Sequence, residues 1–146
     1  MRSTYRALAW LVALGVVLQA AFIAFGTFEV LSEVDDGAVF DENTDFNTGQ
    51  ILHAIVGTIV IPVAALVLLI VSFFAKIPGG VKWAAIVFGL VVLQYALAIV
   101  SFSAPVIGLL HGMNALVLAV VADRAGRRVD LQPATGPEQP RTSTPA

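Results

Sequence analysis

An all-α integral membrane protein, a four-helix bundle built from two tandem helical hairpins in parallel repeat, is the fold this sequence predicts. Three observations carry that expectation. Four apolar runs are long enough to cross a bilayer, the basic residues are segregated to alternate connections, and a glutamine followed by a histidine occurs twice in the same order. With 58% apolar and only 12% charged residues, the composition is not that of a soluble globule. A span needs roughly 20 mostly apolar residues to cross about 30 Å of hydrocarbon. Runs meeting that length fall at residues 7–28, 50–75, 83–102 and 105–122. They leave no room for a separate soluble catalytic domain, so any activity lies in the bundle or its loops. Cysteine is absent, which excludes disulfides, thiolate nucleophiles and iron–sulfur ligation.

The first run follows Arg2 and Arg6 and has the outline of a signal peptide. Its length, and the polar Gln19 within it, favour a retained helix. Residues 29–49 then carry Glu29, Glu33, Asp35, Asp36, Asp41, Glu42 and Asp45 with no basic residue, which predicts an acidic extracytoplasmic loop. The spacing of these carboxylates is not that of an EF-hand, so they read as a solvated surface rather than a calcium site. In the second run Pro62 removes one backbone hydrogen bond, and a kink is expected there.

Lys76, Pro78, Gly79, Gly80 and Lys82 form a tight basic turn, with Trp83 placed as an interfacial anchor. Before the fourth run, Ser103 is the expected N-cap and Pro105 suits the first helical turn. Residues 1–128 thus form the transmembrane domain. Residues 129–146, rich in Pro, Thr and Gln, are expected to be a disordered cytoplasmic tail. All eight basic residues lie at the N-terminus, in the middle turn or in the C-terminal segment. By the positive-inside rule both termini are cytoplasmic in a multi-pass protein of the plasma membrane.

The repeat sharpens this. VVLQ ends at Gln19 in the first run and recurs ending at Gln94 in the third, while the second and fourth begin ILH, at His53, and LLH, at His111. Each hairpin starts and returns inside, so an axis along the membrane normal relates the two. Both histidines then lie roughly 5–9 Å below the outer surface, and the glutamines about one helical turn deeper.

Ionisable side chains inside hydrocarbon are costly and normally face the bundle interior with a partner or a function. Zinc wants three or four protein ligands and copper meets the same shortage, because no cysteine or intramembrane carboxylate joins the pair. Haem brings four nitrogens and asks for one or two axial ligands, so His53 and His111 suffice for one haem b per chain. Gly57, Gly112 and Ala115 would let helix backbone approach a flat macrocycle. Gln19, Gln94, Asn114 or Thr58 could satisfy the second nitrogen of each imidazole. Two imidazoles on one iron leave no open position for oxygen, which points to electron transfer or haem handling.

Two other readings use the same residues. The histidines can simply hydrogen-bond helices together, as in a cofactor-free accessory subunit of a respiratory or other membrane complex. Alternatively His, Gln and Tyr95 can hold a quinone. Expected partners are the lipid bilayer and respiratory-chain proteins or quinone; no nucleic-acid signature is present.

Paired hairpins, an extended loop after the first helix and histidines near the outer ends of the second and fourth helices resemble one four-helix half of haem A synthase, a cytochrome b-like bundle. VVLQAAFIAFG, ILHAIVG and LLHGMNALVLA are also similar to a group of small uncharacterised four-helix membrane proteins of actinobacteria. The resemblance covers about residues 7–122. It implies axial-ligand roles for His53 and His111. The synthase has two such halves and two histidine pairs, so matching it would take two chains, and a homodimer joins the expected partners.

Overall fold

A computed structural model describes residues 1–131 of the chain. Among them the secondary structure is entirely helical, and four helices are long and apolar enough to cross a membrane. They are α1 (Arg2–Asp35), α2 (Thr48–Ala75), α3 (Gly80–Ser103) and α4 (Ile107–Arg127). A short 3₁₀ turn, Arg128–Asp130, follows α4. α1 packs along α2 and α4, and α3 packs along the same two helices. The cyclic order is therefore α1, α2, α3, α4, with antiparallel neighbours and with α2 diagonally opposite α4.

The interior is read from spacings of three and four. Tyr5, Ala9, Val12, Val16 and Gln19 form the buried stripe of α1; Ala84, Val87 and Val91 that of α3; Asn114, Leu118, Ala122 and Ala125 that of α4. Most of these side chains are small, which allows close helix approach where lipid offers no competing solvent to expel. Large residues such as Phe25, Phe28, Phe73, Phe74 and Phe102 point outward, as lipid-facing positions do.

Helix α1 is longer than its apolar run. It has 34 residues, about 50 Å at the usual rise, well over a hydrocarbon thickness. It therefore carries Glu29, Glu33 and Asp35, which the sequence assigns to a loop. No glycine or proline occurs between Glu29 and Gly37, which adopts a φ of 96°. There the Gly37 N–H bonds to the Val34 carbonyl (3.0 Å) and the Ala38 N–H to the Glu33 carbonyl (2.8 Å). That paired pattern around a left-handed glycine ends the helix.

The acidic connection is thus residues 36–47. Within it Asp41 accepts the Asn43 main-chain N–H at 2.9 Å and the Thr44 hydroxyl at 3.2 Å. These bonds, the Asn43 N–H foremost, hold its carboxyl below the usual range. Asn47 then caps α2 reciprocally with Gln50: the Gln50 N–H donates to Asn47 Oδ1 (3.0 Å) and the Asn47 N–H to Gln50 Oε1 (3.1 Å). Its amide also donates to the Gly26 carbonyl of α1 at 2.7 Å.

Here α1 and α2 meet backbone to backbone. A Cβ added at Gly49 would lie 2.6 Å from the Phe22 carbonyl oxygen and 2.7 Å from Gly26 Cα, main-chain atoms that cannot swing aside. A Cβ at Gly112 would meet nothing within 4 Å. Gly49→Ala is accordingly expected to cost about 1–3 kcal/mol and Gly112→Ala almost nothing. Thermal unfolding in detergent reads the difference, and equal midpoints for the two variants would contradict the contact.

At the opposite, basic end the helices are tied by polar groups. The Tyr5 hydroxyl donates to the Gly80 carbonyl at 3.0 Å and Arg2 donates to the Val129 carbonyl at 2.7 Å. Arg6 pairs with Asp130, and the Arg128 guanidinium stacks 4.9 Å over Trp83. These contacts carry α4 and its 3₁₀ turn to Asp130, so residues 129 and 130 belong to the bundle rather than to a tail. Residues 132–146, the rest of the predicted tail, lie outside the described residues. Ser103 is the last residue of α3 and not a cap; α4 starts at Ile107 with no side-chain cap, and the Gly108 N–H bonds to the Pro105 carbonyl at 2.9 Å.

Candidate functional site: two imidazoles across the bundle axis

His53 stands on α2 and His111 on α4, the diagonal pair of helices, and both rings turn inward. Their centroids are 6.4 Å apart and their planes inclined at 57°. The separation depends on an irregularity in α2. Residues Val56–Val60 form a π-helical turn in which the Ile61 N–H bonds back to the Val56 carbonyl. Pro62 follows directly; it has no N–H to give to Thr58, so the regular ladder cannot close there. Toward the basic end the inward residues of α2 are Ile61, Ala64, Ala65, Leu68, Ser72 and Ala75. Beyond the turn they are Val56 and Gly57, then His53, then Gly49. His53 and Ile61 are eight residues apart and both inward, an offset that a π turn absorbs and that a straight α-helix would convert into a rotation of about 80°.

Each histidine bonds to the neighbouring helix of its own hairpin in the same way. His53 Nδ1 donates to the Gln19 main-chain carbonyl at 3.1 Å, and His111 Nδ1 donates to the Gln94 main-chain carbonyl at 3.1 Å. A carbonyl oxygen can only accept, so both neutral imidazoles carry their proton on Nδ1 and leave Nε2 unprotonated, able to accept. That is the tautomer a metal-binding Nε2 requires. The sequence names Gln19 and Gln94 as partners for the second nitrogen; the Nδ1 bonds are made by their main-chain carbonyls. A main-chain carbonyl leaves no residue-type signal, so only the pairing of Gln with His was visible.

The carboxamides differ. Gln94 Nε2 donates to His111 Nε2 (3.1 Å) and to the His111 carbonyl (3.0 Å), and its Oε1 accepts from Asn114 Nδ2 (2.6 Å). Asn114 is anchored in turn by donating to the Leu90 carbonyl at 3.0 Å. Gln19, only 8% exposed, has no partner for Nε2 or Oε1 among the described residues. Gly57 faces it, and a Cβ there would lie 3.2 Å from Gln19 Nε2.

Of the remaining expected residues, Ala115 is half-buried against the core. Gly112 faces outward into open space, so it does not thin the bundle interior as the sequence suggests. Tyr95 is 50% exposed on the outer surface of α3. The glutamines do not form a separate layer beneath the histidines but touch them. Among the described residues no three His, Cys, Asp or Glu side chains converge. The acidic connection lines an open cleft of about 320 Å³ between Glu33, Phe40, Asp41, Asp45, Phe46 and Gln50. No family model, curated protein or solved structure matches the chain.

Proposed function

We propose that the chain is a membrane b-type haem-binding protein in which His53 and His111 are the two axial ligands, serving electron transfer or haem handling. The observation that carries the reading is the relation of the two rings. A metal–imidazole nitrogen bond is about 2.0–2.1 Å and the ring centre lies about 1.1 Å further, so two imidazoles on opposite sides of one ion have centres about 6.3 Å apart. The rings stand 6.4 Å apart, with Nδ1 of each already committed to a carbonyl. Haem bound there would supply a one-electron couple. The residues of this chain hold the imidazole tautomers, exclude water with the small core below, and fix the ring separation through the π turn.

The matching bonds within α1–α2 and α3–α4 support a duplicated hairpin related by an axis along the bundle. The segregation of basic residues supports a plasma-membrane protein with both termini cytoplasmic, which sets the site near the outer face. Gln94 donating to His111 Nε2 favours a second reading, in which the polar cluster only joins helices in an accessory subunit.

Colour decides between them. Protein purified in detergent, as isolated or after addition of ferric protoporphyrin IX, is expected to bind one haem per chain with a low-spin Soret band and a sharp α band on reduction with dithionite. A pure, folded protein that stays colourless after loading would leave only the structural role.

A further inference from the structure

We infer that the two axial positions are unequal: His53 takes iron first, and Gln94 is the positioning residue that governs when His111 completes the pair. This rests on the haem reading. The two halves of the site share the Nδ1 bond but not the state of Nε2. His53 is half-buried, and its Nε2 has no hydrogen-bond partner among the described residues. At His111 the same atom accepts an N–H from Gln94, whose amide is held at its other end by Asn114.

One residue makes the difference. Three positions after His111 stands Asn114; three positions after His53 stands Val56, which has no group to orient a carboxamide. Gln19 therefore lies buried and unpartnered beside a free imidazole, while Gln94 is clamped onto an occupied one. His53 would offer an iron porphyrin an available lone pair. To use His111, the Gln94 N–H···Nε2 bond must break before the Nε2–iron coordinate bond forms. No proton or electron is transferred, because Gln94 keeps its amide hydrogens and Nδ1 keeps its own.

Stopped-flow mixing of iron-free protein in detergent with ferric protoporphyrin IX tests the order. The expected course is a fast phase giving a high-spin, one-histidine spectrum, then a slower phase giving the low-spin spectrum. Gln94→Leu and Asn114→Val should each speed the second phase by about fivefold, the worth of one neutral hydrogen bond, and leave the first unchanged. Gln19→Leu should alter neither.

A second readout needs no iron. Diethyl pyrocarbonate attacks an unprotonated imidazole nitrogen, so His53 should be modified faster than His111, and Gln94→Leu should close the gap. Low-spin haem that forms with the second phase unmoved in both variants, or equal modification of the two histidines, would overturn the role of Gln94 and leave the haem reading standing. Unequal modification in a chain that never forms low-spin haem would overturn the haem reading, and the order of iron binding with it.

Discussion

Replacing either His53 or His111 with alanine abolishes the low-spin haem spectrum while leaving helix content unchanged; that is the largest effect expected from a single substitution in this chain. The separation of the two outcomes follows from what each imidazole does. Its Nδ1 bond goes to a carbonyl inside a helix, where the regular ladder already supplies a donor, so its loss costs the fold only about 1 kcal/mol. Its Nε2 has no substitute, because among the described residues no third His, Cys, Asp or Glu converges with the pair. Absorption and circular dichroism on the same samples make the comparison. An unaltered low-spin spectrum in either variant removes that histidine from the ligand pair.

An insertion that touches no polar residue is expected to be as damaging. Adding one alanine after Ile59, within the π turn, shifts the His53 end of α2 by a further 100° or so against the end that carries Ile61, Ala64 and Leu68. The latter end buries the larger apolar stripe and keeps its place, so His53 leaves the bundle axis. Haem binding should fall to the level of His53→Ala.

The reverse change has the opposite expectation. Deleting Ile59, which is exposed, together with Pro62→Ala, turns the eight residues from His53 to Ile61 into seven, about two α turns, and lets a straight helix keep both faces inward. This shortened chain should retain the low-spin spectrum. If the insertion binds haem and the deletion does not, the π turn is not what aims His53.

The same turn shows how far the residues could be read in advance. Four spans, the acid–base polarity of the chain and the pairing of each histidine with a glutamine were legible because each is a matter of residue type along the chain. Pro62 signalled a disturbance in α2, but a kink and a one-residue shift of register are indistinguishable in a string of Val, Ile and Gly. The close contact of Gly26 with Gly49 was not legible, since a glycine shows its purpose only when the backbone it meets is known. The length of α1 was legible in part: charge suggested a loop from Glu29, whereas Gly37, the first glycine after Glu29, marked the true end.

The sequence by itself determined that this chain is a set of apolar helices carrying two imidazoles and two carboxamides, because transfer into hydrocarbon depends on composition and run length. Only the tertiary structure decided that the imidazoles face each other across the axis, that a backbone carbonyl holds Nδ1 of each, and that among the described residues the Gln94 carboxamide is engaged while that of Gln19 is not. Those outcomes depend on helix rotation and on which backbone lies opposite. Both are set by packing between segments far apart in the chain, where a shift of a single residue turns a side chain from the interior to the lipid.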